Sequence, residues 1–187
     1  MSLGLSRTAM PFTPFHMGPG LAVKALSGRY FSLMVFGFSQ IAIDIEPLVH
    51  IIRGDAVIHG FTHTYLGATV IGVISAVVGR PVCQFLLNHW TPDPYSPFLN
   101  WLSGPKLISW PAAITGAFVG TYSHVFLDGI MHSDMQPFAP LSDANPLLHV
   151  ISAGGLHLLC VLSGGLGALL MFAVFLMRGG ARVDRQA

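Results

Sequence analysis

The chain has 187 residues and a formal net charge of +1, with 9% charged and 52% apolar side chains. Soluble globular domains carry about 25% charged residues, so this composition, with a mean hydropathy of +0.65, leaves too few charges to cover a water-facing surface. Lipid suits such a surface, and an all-α, polytopic membrane bundle is expected. The small net charge argues against a broad basic patch, so no nucleic-acid partner is expected. Only Cys83 and Cys160 are present and no CxxC occurs, which excludes a disulfide scaffold and a thiolate zinc site. Nine histidines exceed what a hydrophobic bundle needs.

The whole chain, 1–187, reads as one membrane-embedded domain of about five helices, four spanning and one short, with flexible tails at 1–10 and 178–187. Arg7 is followed by Pro11 and Pro14 rather than an unbroken apolar run, so no ordinary signal peptide is read there; Met10 is an alternative start. A first helix is expected from about His16 to Ser27, interrupted by Gly18-Pro19-Gly20. At about 1.5 Å per residue it is too short to span alone. A second helix is expected over Tyr30 to Ile52, and a third over Gly60 to Gly79 with Arg80-Pro81 as its stop. Asn88 to Lys106, with Trp90, Trp101, Pro92, Pro94 and Pro97, reads as a loop or interfacial segment of an aromatic belt. The fourth helix is expected from about Trp110 to Met131, followed by a polar stretch, His132 to Pro146. The last, Leu147 to Met177, carries Gly154, Gly155, Gly164, Gly165 and Gly167, which favour close helix contacts or a bend.

If the helices alternate in direction, one side receives Arg7 and Arg53. The other receives Lys24, Arg29, Arg80, Lys106, Arg178, Arg182 and Arg185. The positive-inside rule puts the second side in the cytoplasm. The acids show the opposite bias: Asp44, Glu46, Asp55, Asp128, Asp134 and Asp143 fall on the extracytoplasmic side, and only Asp93 and Asp184 on the other.

Most histidines follow the acids. His16 opens the first helix. Asp44, Glu46 and His50 close the second, and His59 and His63 begin the third. His124, Asp128 and His132 end the fourth, and His149 begins the fifth. His59-x3-His63 sets two imidazoles one turn apart, and His124-x3-Asp128-x3-His132 extends one stripe over two turns. Mixed imidazole and carboxylate donors suit zinc, manganese or iron better than calcium. A single His-x3-His pair is common by chance, and a lone helical His is most often a hydrogen-bonded structural residue. Asp44 and Asp128, however, sit inside apolar runs, where ionisable groups are costly and mark functional sites. His157, deep in the last helix, is expected to pack or hydrogen-bond, and His89 to lie in the loop. The pattern leaves the roles of His50 and His59 open.

Phe15-His16-x-Gly18, Asp44-Ile45-Glu46, Gly60-Phe61-Thr62-His63-Thr64, and Ser123-His124-x3-Asp128 with Pro137 and Pro140 resemble the YdjM-like family of membrane-bound metal-dependent hydrolases. Together they cover residues 11 to 146. Glu46 stands where that family has a second Asp, and His59 where it has Arg. The order His16, Asp44, His63, His124, Asp128, His132, His149 is more distantly similar to zinc-dependent phospholipases C, with Ala153 at the place of a Glu in those enzymes.

The resemblance implies a hydrolase of the bacterial inner membrane, most readily a phosphoesterase using metal-activated water on a lipid-linked or amphiphilic substrate. One or two divalent ions, zinc before manganese or iron, would be held by His16, Asp44, His63, His124 and Asp128, with His132 and His149 as further ligands. Asp44 and Glu46 are the candidate catalytic acids, with Glu46 either a ligand or the general base. Thr62 or Thr64 would supply supporting hydrogen bonds. Two other readings stay open: a metal-ion or proton transporter, and a metal-stabilised membrane protein without chemistry.

Overall fold

The computed structural model describes residues 14–90 and 107–183, and every regular element among them is helical. Seven α-helices are described: α1 (Met17–Ser27), α2 (Leu33–Ile43), α3 (Ile45–Arg53), α4 (Tyr65–Ile74), α5 (Arg80–His89), α6 (Trp110–Met131) and α7 (Ala153–Val183). Short 3-10 turns cover Pro14–His16, Gly28–Tyr30 and Phe61–His63, and a π segment, Ser75–Gly79, joins α4 to α5. Most of the Pro-rich segment expected before Lys106 lies outside the described residues, as do residues 1–13 and 184–187.

The sequence explains most boundaries. Ser32 caps α2 by accepting from Val35 N, and Ser109 caps α6 by accepting from Ala112 N, with Pro111 in the first turn. Gly54 ends α3 in the left-handed region, at φ 76°. Four expectations need correction. Gly18-Pro19-Gly20 does not interrupt α1, because Pro19 lies in the first turn, where an N–H has no helical partner. The expected second helix is divided at Asp44, because Pro47 offers no N–H to the carbonyl of Ile43. Arg80-Pro81 does not end the third helix; the wider turns of Ser75–Gly79 precede Pro81 and the chain continues helically to His89. The last helix begins at Ala153 rather than Leu147, since residues 147–152 form turns, and it runs to Val183, into the expected tail.

Three stretches are long and apolar enough to cross a membrane: Leu33–Arg53, Tyr65–His89 and Ala153–Met177. The sequence reading expected four. The fourth, α6, has the length at 22 residues, but Thr115, Thr121, Ser123, His124 and Asp128 reduce its apolarity. It is the central helix, packed between α2 and α4, so its buried polar residues, Thr121, His124 and Asp128, face protein rather than lipid. Leu158, Leu162, Leu166 and Leu169 on α7 point outward, as lipid-facing residues should.

Small residues let the helices approach. A Cβ on Gly120 would collide with Ser39 Oγ, and one on Gly116 would come within 2.5 Å of the Ser32 carbonyl oxygen, so α6 meets α2 backbone to backbone. The α1–α7 contact is built the same way: a Cβ on Gly18 would land on the Cys160 carbonyl oxygen, and one on Gly167 would lie 2.5 Å from Ala22 N. We predict that Gly18→Ala lowers stability by about 1–3 kcal/mol, the usual cost of overpacking. Gly154→Ala, with open space around it, should change stability by less than about 1 kcal/mol. Thermal unfolding in detergent followed by circular dichroism checks both; equal melting temperatures for the two variants would refute the packing account.

Candidate metal centre

Four buried side chains meet at one end of the bundle. Asp44 comes from the α2–α3 junction, His63 from the turn before α4, and His124 and Asp128 from successive turns of α6. Each offers a ligand atom within 4.8 Å of the others. His124 Nε2 lies 3.0 Å from Asp128 Oδ2 and 3.1 Å from Asp44 Oδ1. His63 Nε2 lies 3.5 Å from Asp128 Oδ2 and 3.7 Å from Asp44 Oδ1. His16 stands beside them, with Nε2 3.5 Å from Asp128 Oδ1.

The far side of each ring decides which nitrogen carries the proton. Gln40 Nε2 donates to the Gly120 carbonyl at 3.0 Å, which turns Gln40 Oε1 toward His124 Nδ1 at 2.6 Å. An amide oxygen only accepts, so Nδ1 carries the hydrogen and Nε2 of the neutral ring is a bare lone pair. His63 follows the same logic. Thr62 Oγ1 has one proton, and its neighbours Glu46 Oε2 (2.6 Å) and Ile43 O (3.1 Å) are both acceptors. Thr62 therefore accepts from His63 Nδ1–H at 3.0 Å, and His63 Nε2 is also a lone pair aimed into the cluster. The carbonyl of Ile43 is free for Thr62 because Pro47 cannot bond it.

With both rings neutral, as ligation requires, lone pairs face carboxylate oxygens at close range. His63 Nε2, His124 Nε2, Asp128 Oδ1 and both ring nitrogens of His16 are buried without a hydrogen-bond partner. Each such group costs about 1–3 kcal/mol when left unpaired. A divalent cation accepts the nitrogen lone pairs and neutralises the carboxylates together, and the donor set fits one. The group can hold a divalent metal. Burial pushes the His16 imidazole down to about 4, so it stays neutral and able to ligate at pH 7.

The other candidates are placed differently. Glu46 is occupied as an acceptor: Oε1 takes Phe61 N–H at 3.1 Å, and Oε2 takes Thr62 N–H at 2.6 Å and the Thr62 hydroxyl. It clamps the turn that carries His63 and stands behind the cluster, not among its ligand atoms. Of the two threonines, Thr62 supports His63, while Thr64 caps α4 by accepting from Gly67 N. His132 lies at the rim, half-buried, with Nε2 3.9 Å from Asp128 Oδ1. His149 is not brought in: it is exposed at φ 59°, and its backbone N–H, not its ring, binds the Ile130 carbonyl. His50 pairs with Asp55 at 2.6 Å, His157 stacks on Phe15, and His89 is the last residue of α5 rather than a loop residue.

Two residues that support the histidines are not among the site candidates read from the sequence. Gln40 lies one turn before Asp44 on the same helix, and a lone buried amide in an apolar run was its only signal. Asp134 pairs with His59, Oδ1 to Nδ1 at 2.9 Å, and Oδ2 accepts from Ile58 N and His59 N. Burial holds the His59 imidazole below the ordinary histidine range. Burial alone would raise the Asp134 carboxyl, but the hydrogen bonds from His59 and the loop hold it below the ordinary carboxylate range.

Compared with protein-family models, curated proteins and solved structures, the chain matches none.

We predict that Gln40→Leu and Thr62→Val, which remove the groups that orient His124 and His63, each weaken metal binding by about 10–100-fold while helicity is retained. Competition titration of the detergent-solubilised protein against a chromogenic chelator measures this. Unchanged affinity in both variants would show that these rings are not metal ligands.

Proposed function

We propose that the chain is a membrane-embedded, metal-dependent hydrolase, most readily a phosphoesterase acting on a lipid-linked or amphiphilic substrate. One observation carries the reading: the imidazoles of His63 and His124, each pinned at Nδ1, present Nε2 lone pairs to the buried carboxylates of Asp44 and Asp128. The resemblance of the surrounding motifs to membrane-bound metal-dependent hydrolases supplies the reaction class. Zinc is the ion of choice for two imidazoles and two carboxylates, with manganese or iron as substitutes. Bound there, the ion supplies Lewis acidity and lowers the pKa of a coordinated water.

The chain's own residues do the rest. Asp44, His63, His124 and Asp128 hold the ion, and His16 stands within reach. Gln40 and the Glu46–Thr62 pair fix the ring orientations. Ile43, Ala68, Val125 and Met135 form an apolar cluster beside them that keeps bulk water away. The centre lies opposite Lys24, Arg29 and Arg80, and the positive-inside rule then supports an extracytoplasmic site. A substrate with an apolar tail would reach it from the bilayer surface.

A second reading has an observation of its own. Four buried protein ligands complete a tetrahedral ion, as in sites that only stabilise a fold. The transport alternative is weaker. Among the described residues, the buried His, Asp, Glu, Lys and Arg side chains are His16, Asp44, His59, His63, His124 and Asp128, all at this one end. Val35, Ala76, Ala113 and Ala117 fill the core beyond.

Metal analysis of the purified protein, with assays on phospholipids and generic phosphodiesters, tests the proposal. We expect stoichiometric metal and metal-dependent hydrolysis. His63→Ala and Asp128→Asn should lose both, with rates down by more than the roughly 100-fold that an outer hydrogen bond controls. Metal below stoichiometry and unchanged by both substitutions would sink the site. Chelator-sensitive stability without turnover on any substrate would favour the stabilising role.

A further inference from the structure

We propose that His59, His132 and Asp134 form a second metal site, joined to the first through Asp128, and that its ion is the one a substrate meets. The last clause rests on the hydrolase reading; the ion site itself does not.

The three residues each offer a ligand atom within 4.8 Å of the others. They come from separate stretches, His59 from the loop after α3, His132 and Asp134 from the turn that follows α6. The His59 and His132 rings lie 4.4 Å apart, centre to centre, and the His59 and His63 rings 4.9 Å apart, so the two groups adjoin. Asp134 Oδ2 accepts the N–H groups of Ile58 and His59, which fastens the loop to the turn and holds both parts of the group in register.

Asp128 divides its two oxygens between the groups. Oδ2 faces His124 and His63 at 3.0 and 3.5 Å. Oδ1 faces outward, 3.5 Å from His16 and 3.9 Å from His132, and has no hydrogen-bond partner although it is buried. A carboxylate shared in this way is the bridge of two-metal sites.

The surroundings of the two groups differ in kind. All four residues of the first are buried, which leaves little room for a further ligand. In the second, only His59 is buried; His132 and Asp134 are half-buried. A cavity of about 520 Å³ opens directly on His59 and Asp134, and Gln136 and Asn145 add neutral polar groups to its wall. Closed four-ligand sites stabilise, while three-ligand sites with an open position react. By that rule the outer ion is the more open of the two to incoming substrate, with the inner ion beside it across Asp128.

The test counts ions in the intact, detergent-solubilised protein. The chain is loaded with Co²⁺, desalted, and its metal measured by mass spectrometry alongside the visible spectrum of bound cobalt. We expect two equivalents in the wild type and one in His59→Ala/His132→Ala, with helicity unchanged. Should that double variant lose helicity, Asp134→Asn carries the same test and should bind the second equivalent at least about 10-fold more weakly. Saturation of the wild type at one equivalent, or two tight equivalents retained in a folded variant, overturns the proposal. Two ions without hydrolysis would support the second site and defeat the hydrolase reading.

Discussion

Two carboxylates buried against each other are the constraint on which the rest of the bundle depends. Asp44 and Asp128 belong to different helices, and the backbone approach of α2 to α6 at Gly116 and Gly120 brings them together. Burial of one carboxylate is expensive and burial of two in one space more so, because like charges repel more strongly away from water. Positive charge must therefore sit between them. The imidazoles of His63 and His124 occupy the right places, but their hydrogens are directed away by Thr62 and Gln40. What those rings offer the carboxylates is lone pairs. A divalent cation would reconcile the two kinds of donor.

That geometry is produced by ordinary helix defects. Pro47 cannot bond the Ile43 carbonyl, so α2 yields to α3 at Asp44 and the carbonyl, without a helical partner, lies 3.1 Å from the Thr62 hydroxyl. Glu46, in the first turn after the break, takes the N–H groups of Phe61 and Thr62. A single proline and a single carboxylate thereby set the place and pitch of His63. On the opposite wall, Gly120 serves twice: its missing side chain admits α2, and its carbonyl fixes the Gln40 amide that orients His124. The hydrogen bond that orients His124, and the Glu46 carboxylate that holds Thr62 against His63, thus come from the same α2–α3 unit that supplies Asp44.

The polar end is graded from closed to open. Asp44, His63, His124 and Asp128 are buried, His132 and Asp134 are half-buried, and the cavity beside His59 reaches solvent-facing residues such as Gln136 and Asp143. The rest of the molecule presents apolar side chains outward along its membrane-length helices. The end that can hold a metal thus sits on an apolar, membrane-length body.

Composition determined that the chain is suited to lipid, because so few charges cannot cover a surface in water, and its apolar runs of membrane length determined that it is helical. The alternation of helices also determined that Asp44, His63, His124 and Asp128 share one end, since membrane-length elements have only two ends to choose from. α6 was legible to the residue because Ser109 and Pro111 start it and the polar stretch from His132 stops it. What the sequence could not decide is which of the residues at that end touch. Glu46 and His149 have the chemistry of site residues, yet hydrogen bonding directs Glu46 behind His63, and a left-handed turn leaves His149 outside. Gln40 and Asp134 carry no site signal of their own in the sequence, and packing puts each against a histidine. Ligand type is written in residue identity and period. Ligand direction depends on which side of a ring meets a partner from another helix, and only the tertiary structure sets that.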